Sequence, residues 1–500
     1  ELLSDRQTTR FVPVTIPELM SIYETRRLLS VLEKNNIPVT DIIVNRVADA
    51  HECAFCASKQ EDQRQHLSEI ENSFSQYSLI KVPLFPNEIR GVEELKALAD
   101  YLMGISKPYE LPKAVVSVEE PQAYLALDPN LEFVLFGGKG GVGKTSLASA
   151  AALHLARCNP DKNILIFCTD PAHSLSDSFK LTIGDKITPI QGSGVRGQWS
   201  VVGGRRSEVG GRRSEVRSQR SEVRGQRSEV GGRRSEVRGQ RSVPNGQSLM
   251  TNDQCPMTNL YALEIDADKL FEDFKDAYKK DIEEVFDKFL GKGVDIKFDR
   301  EVMTELLTLA PPGLDEIMAL DTIMDLRKEG KFDIFVLDTS PTGHLLRFLE
   351  LPDMVREWLN AFFRLLLKYK GVVRLAKVAE KALAMSKNVR RIQEAFMDRN
   401  RTGFVAVTIA EAMGLLELER LVSALDNAKI HCGNIMVNMV IPQTDCDFCS
   451  SKRVEQTEYI KRIHSIFPSR SITRVSMFPH DVRGIGDLHK IGEILFGNRS

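Results

Sequence analysis

Five hundred residues, 42% apolar and 27% charged, suffice for two or three domains with separate cores, and they exclude a disulfide-stapled miniprotein, a collagen and a wholly disordered chain. The net charge of −2 hides two populations, because twelve Arg against five Glu give residues 203–241 a charge of +7 and leave −9 on the remainder. An acidic body argues against nucleic acid as a specific partner. The densest apolar run, Phe362 to Leu367, contains Arg364 and falls far short of the roughly 20 residues of a bilayer span. A chain that does not span a membrane is expected, cytoplasmic and at most peripheral at a membrane surface, since its first residues lack the pattern of a secretory leader.

Residues 11–102 match residues 404–495 without a gap at a constant offset of 393, with about a third of the 92 positions identical. F-V-P-V-T-I-P-E-L-M at 11–20 returns as F-V-A-V-T-I-A-E-A-M, and V-P-L-F-P-N-E-I-R-G at 82–91 returns as V-S-M-F-P-H-D-V-R-G. Residues 1–105 therefore read as the C-terminal part of a first repeat without a phosphate-binding loop, and 131–497 as a complete second repeat. A linker at 106–130, rich in Pro and poor in periodicity, lies between them.

From 131 onward short apolar runs alternate with longer amphipathic stretches: 131–136, 163–169, 260–265, 332–337, 403–409 and 435–440. Fully apolar strands separated by helices imply an α/β fold with a mainly parallel sheet covered by helices on both faces. The first run leads into G-G-K-G-G-V-G-K-T-S at 137–146, which satisfies the phosphate-loop pattern from Gly138 to Thr145. Gly138, Gly140, Gly141, Val142 and Gly143 would wrap phosphate with backbone N–H groups at a helix N-terminus, continued by Ser146. Lys144 would reach the β and γ oxygens and Thr145 would ligate Mg²⁺ of bound MgATP. Lys139, second in the loop, makes this a deviant K-G-G-x-G-K-T motif. Such a lysine suits charge neutralisation across a dimer interface.

Asp170 ends the next strand and Asp338 a later one, both at the carboxyl ends where ligands bind in parallel sheets. Asp338 fits the carboxylate that holds the Mg²⁺ shell. Asp170 fits the group that positions the attacking water, the alternative being a helix N-cap. Pro341, Thr342, Gly343 and His344 fit a switch that senses the γ-phosphate, with His344 alternatively a satisfied loop histidine. Between these two strands, residues 191–250 form a low-complexity Arg-rich insertion that repeats every seven residues from 203 to 241. One Val per heptad cannot form a coiled-coil seam, so the insertion reads as disordered, with nucleic-acid binding as the functional alternative.

Two C-x-x-C pairs, Cys53 with Cys56 and Cys446 with Cys449, occupy equivalent repeat positions. A pseudo-twofold arrangement would let them converge as four thiolates around one structural Zn²⁺. Redox-active thiols and unligated cysteines are the alternatives.

These motifs together resemble the ArsA-type ATPase family: the K-G-G-V-G-K-T loop, D-P-A-H-S-L-S-D-S-F at 170–179, P-P-G-L-D-E-I at 311–317, D-T-S-P-T-G-H-L-L-R-F-L-E-L-P at 338–352, and the late V-N, C-x-x-C, F-P and R-G series. That family comprises ATPases driving arsenical pumps and guided-entry ATPases that deliver tail-anchored membrane proteins. The resemblance implies a P-loop NTPase fold with a helical subdomain, paired as a dimer or tandem pseudo-dimer with ATP at the interface. By resemblance Lys139 is the intersubunit signature lysine, Asp170 the water-activating aspartate with Pro171 and His173 in its switch, and Asn438 an adenine contact; a structural Asn ending a strand is the alternative for the last. The expected function is ATP hydrolysis driving an arsenical or other anion pump through a membrane subunit. The alternatives are a chaperone for tail-anchored clients and a MinD-like positioning ATPase. The absence of Cys from 256–431 weighs against a thiolate metalloid site in the helical part of this repeat.

Overall fold

The computed structural model describes residues 2–49, 53–105, 123–128, 130–169, 174–190, 259–266, 269–273, 275–276, 279–280, 314–339, 387–388 and 390–497. Two parallel sheets organise the described chain. The larger follows the order β11-β10-β9-β4-β8-β5-β7-β6. Its central members are β4 (Phe133–Gly138), β5 (Ile164–Cys168), β7 (Leu260–Glu264), β8 (Ile334–Asp338) and β9 (Thr402–Ile409). They are continuous apolar runs because both faces are covered: every residue of β4, β5 and β8 is buried. Successive side chains alternate between two cores. Phe133, Leu135, Phe167, Phe335 and Phe404 face one, which Ile323 and Met324 of α6 (Leu314–Lys328) help to fill; Val134, Phe136, Ile166, Val336 and Val405 face the other. Only the two-residue edge strand β6 (Thr188–Pro189) runs antiparallel, against β7. Among the described residues no helix is long and apolar enough to cross a membrane.

The second core is closed by α4 (Lys144–Cys158), whose Ala148, Ala150, Ala151, Ala152 and Ala156 let its axis approach the sheet closely. Against α4 packs α9 (Gly484–Phe496), with His154 stacked on Phe496 at 3.8 Å between ring centroids. Burial holds the His154 imidazole down to about pKa 4, helped by the charges of Arg157 and His489. The folded state therefore keeps His154 neutral while the unfolded chain takes up a proton near its ordinary value, so stability falls as pH drops from about 6.5 to 4. His154 is partly exposed, and screening reduces its share to ~1–2 kcal/mol. His154→Gln should flatten that part of the pH dependence of the urea midpoint.

The smaller sheet, β1-β2-β3, belongs to the N-terminal segment. Its elements are β1 (Val14–Thr15), α1 (Leu19–Lys34), β2 (Asp41–Val47), α2 (Ala54–Ser73), β3 (Ser78–Pro83) and α3 (Val92–Leu102). Moved by the 393-residue offset, they fall on β9, α7 (Ala412–Asn427), β10 (Cys432–Val440), α8 (Asp447–Ile466), β11 (Ser471–Ser476) and α9. The agreement reaches strand register: Val14 pairs with Ile43 as Val407 pairs with Met436. It also reaches backbone irregularities, since the register shift between Val44 and Val47 recurs between Val437 and Val440. Arg46 and Met439, at equivalent positions, take φ of 59° and 58°. Burial differs where β9 has a neighbour in β4 and β1 has none among the described residues: Val14 is 59% exposed and Val407 1%.

Candidate functional site

The loop after β4 and the carboxyl ends of β8, β10 and β11 converge on one cleft. After β4 the chain turns sharply into α4, and two glycines make the turn feasible: Gly141 at φ 75° and Gly143 at φ 83°. Gly138 is required for a different reason. A Cβ there would lie 2.1 Å from the Val407 carbonyl oxygen of β9, so only glycine lets the two backbones meet. The resulting loop directs the N-terminus of α4 at the cleft, the arrangement in which backbone N–H groups and the helix dipole favour an anion.

Around the loop the structure brings several sequence-identified residues together. Thr145 Oγ1 donates to Asp338 Oδ2 at 2.5 Å, across 193 residues of sequence. Lys144, nearly buried, donates from Nζ to the Lys139 backbone carbonyl at 3.0 Å. Lys139 stands half-buried beside exposed Gly140, and Ser146 lies in the cleft wall. Asn438, at the end of β10, donates from Nδ2 to the Val142 carbonyl at 2.9 Å, and its amide stands where a Cβ on Gly143 would fall. The sequence suggested an adenine contact there; the observed bond is to the phosphate loop itself. Loss of that donor leaves the buried loop carbonyl short of a partner, costing about 1–3 kcal/mol. Asn438→Leu should therefore weaken ATP and GTP by the same factor, measured by calorimetric titration, whereas a pure adenine contact would weaken ATP alone.

Two residues escaped the sequence reading. Cys168, the last residue of β5, brings Sγ to 3.4 Å from Asp338 Oδ2 and 3.3 Å from Ser174 Oγ. Glu264, the last of β7, accepts from the N–H groups of Leu175 and Ser176 at 2.8 and 3.0 Å and from Ser176 Oγ at 2.9 Å. That carboxylate pins the start of α5 (Ser174–Phe179) to the sheet edge beside the cleft. The partners lie 88 and 89 residues earlier in the chain, so no local sequence signal marks Glu264. Asp170, Pro171 and His173 lie outside the described residues, as do Pro341, Thr342, Gly343 and His344, the insertion at 191–250 and most of the linker.

The cleft, about 540 Å³, is walled on its far side by the N-terminal segment through Pro17, Glu18, Met20, Lys59 and Asp62. Burial pushes the Glu18 carboxyl up, reinforced by Asp481, and pushes the Lys59 ammonium down. These charges give the side opposite the phosphate loop a polar, mixed lining.

The four C-x-x-C cysteines meet a short way off. Their sulfurs all lie within 4.8 Å of one another, with Cys56 and Cys449 at 3.4 Å and Cys53 and Cys449 at 3.9 Å. Cys53 and Cys446 occupy the N-cap positions of α2 and α8, Cys53 accepting from the Cys56 N–H, so two helix dipoles converge on the sulfurs. The hydrogen bond with Cys56 brings the Cys449 thiol down to about 6, and the same bond, with burial, pushes Cys56 up. One sulfur is thereby favoured as thiolate, the form that binds metal. Four clustered sulfurs with this bias fit a tetrahedral soft-metal site.

Comparison with known proteins adds three findings. The sequence profile of the anion-transporting ATPase family matches residues 1–104, 131–195 and 247–497. The chain is 27% identical over 382 residues to an ATPase ASNA1 homolog of Entamoeba histolytica, covering 73% of this chain and 94% of that protein, and 25% identical over 394 residues to ATPase GET3 of Podospora anserina, covering 75% and 94%. It is also 26% identical over 525 aligned positions to ATPase ARSA1 of Chlamydomonas reinhardtii, covering 99% of this chain and 58% of that protein.

Proposed function

The chain belongs to the anion-transporting ATPase family, and we propose that it hydrolyses MgATP in the cleft between its phosphate loop and its N-terminal segment. The observation that carries this reading is the contact of Thr145 with Asp338 at the mouth of a loop whose lysine is already nearly buried. In this proposal Lys144 binds the β and γ oxygens, Thr145 and Asp338 hold Mg²⁺, Asp170 orients water and Lys139 neutralises charge from across an interface. Bound Mg²⁺ supplies further charge neutralisation on the phosphates. Residues 1–105 act as the C-terminal part of a first repeat paired with the repeat at 131–497, so that nucleotide occupancy sets how closely the two approach. Cys53, Cys56, Cys446 and Cys449 would hold one structural Zn²⁺ across that pairing.

For the cargo we favour a targeting role, in which the clamp shields an apolar helix of a tail-anchored membrane protein from water. The absence of Cys from 256–431 supports this over a metalloid pump, because trivalent arsenic and antimony need soft thiolate ligands. Steady-state ATPase assays with and without antimonite, beside Asp170→Asn, separate the readings. A metalloid-insensitive rate that Asp170→Asn abolishes, together with a soluble complex between the chain and a tail-anchored helix, is expected. Several-fold stimulation by antimonite would replace targeting with pump driving, and absence of turnover would remove the ATPase reading for this chain.

A further inference from the structure

At the rim of the same cleft, a second group of ligands meets that ATP hydrolysis does not use. Asp62 and His66 stand four residues apart on α2 and so share one helix face. Asp481, in the loop after β11, approaches them from the other copy of the repeat, and one ligand atom from each of the three lies within 4.8 Å of the others.

The internal repeat supplies the comparison that gives this cluster meaning. The 393-residue offset relates Asp62 to Glu455, His66 to Tyr459 and, in the opposite sense, Asp481 to Glu88. In the Glu455, Tyr459 and Glu88 group, hydrogen bonds alone complete the contact. Tyr459 Oη donates to Glu88 Oε2 at 2.7 Å, the Glu88 N–H donates to Glu455 at 3.0 Å, and Glu88 Oε1 accepts from the Ala412 N–H at 2.6 Å. In the Asp62, His66 and Asp481 group both acids are one methylene shorter and an imidazole replaces the phenol. The corresponding contacts open up: His66 Nε2 is 3.5 Å from Asp481 Oδ2, and the Leu19 N–H, equivalent to that of Ala412, is 3.4 Å from the same oxygen. Arg483 reaches Asp481 only at 3.8 Å. Such separations are poor for hydrogen bonds. The separation of His66 from Asp481 is natural between two ligands of one ion, because atoms each bound at about 2.0–2.2 Å stand roughly 3–4 Å apart.

We propose that Asp62, His66 and Asp481 bind one divalent first-row transition ion of the manganese type, joining α2 to the loop that walls the nucleotide cleft. Two carboxylates and one imidazole suit such an ion, whereas softer ions would partition to the four cysteines. Asp62, Asp481 and nearby Glu18 face Lys59, Arg46 and Arg483, so the surroundings of the cluster carry both signs. A dication held by the three ligands fixes the N-terminal segment against the second repeat. The hydroxyl-based contact at Tyr459 performs the same joining in the other copy without a metal.

The test is Mn²⁺ titration of the full nucleotide-free chain, followed by electron paramagnetic resonance, with pulsed detection of an imidazole nitrogen coupled to the bound ion. One bound Mn²⁺ with nitrogen coupling is expected. His66→Tyr, which installs the side chain of the other copy, should abolish the coupling and weaken binding at least about tenfold. Asp338→Asn, at the phosphate loop, should preserve both. Asp481→Asn serves as the second variant should His66→Tyr misfold, with the same weakening expected. The proposal is overturned by an uncoupled Mn²⁺ signal in the parent chain, by nitrogen coupling that survives His66→Tyr, or by binding that Asp338→Asn removes and the cluster variants leave intact.

Discussion

Lys144→Ala is expected to lower the turnover of ATP by about a thousandfold, equivalent to ~4 kcal/mol of lost charge stabilisation at the transferring phosphate. The size follows from where the ammonium sits. Lys144 is nearly buried at the first turn of α4 and bends back to donate to the Lys139 carbonyl, so the protein has already met the cost of desolvating it and holding it in the loop. A preorganised charge stabilises the developing negative charge without further rearrangement. Truncation removes the charge but leaves Gly138, Gly141 and Gly143 to shape the loop, so ATP binding should weaken far less than turnover. Single-turnover hydrolysis beside calorimetric binding separates the two. Residual turnover within tenfold of the parent would assign the charge stabilisation to another residue.

The second large effect is expected at the four cysteines. With the proposed Zn²⁺ bound there, a chelator should lower the thermal midpoint by about 10 °C or more, as should Cys449→Ser. The lost binding amounts to several kcal/mol, and each kcal/mol moves a domain of this size by about 2–4 °C. Without the ion, four sulfurs within 4.8 Å repel or compete for protons while two helix N-termini still point at them. Because each pair comes from a different copy of the repeat, the damage should not stay local. Hydrogen exchange in α2 should accelerate along with that in α8. A midpoint unchanged by chelation, with all thiols already reactive, would reduce the cluster to packing.

The fold was legible because its strands are apolar on both faces: β4, β5, β7, β8, β9 and β10 each coincide with a run visible in the composition. The repeat made the cysteine quartet legible too, since an offset pairs positions that no local pattern joins. What escaped depends on contacts between distant segments. Glu264 holds α5 by bonds to Leu175 and Ser176, and nothing near Glu264 in sequence announces them. The Asp481 and Glu88 contacts cross between copies of the repeat, each to the first turn of a helix in the other. Asn438 shows a subtler limit: its position at a strand end was evident, but only three-dimensional placement reveals that its amide meets the phosphate loop.

The gapless correspondence between the two copies also makes the chain its own reference specimen. Measurements of side-chain contribution usually compare two proteins whose backbones differ in unknown ways. Here α1 and α7, or α2 and α8, have the same length and equivalent bounds, and left-handed residues recur at equivalent positions, Asn36 with Lys429 and Arg46 with Met439, within one molecule at one temperature. Exchanging a residue between paired positions holds local propensity nearly constant, so the change in stability reports the surroundings: a buried β9 against an edge β1, a tyrosine contact against a histidine one. Ancestral symmetry has thus left a matched pair in which context, normally the hidden variable of mutational analysis, can be varied by itself.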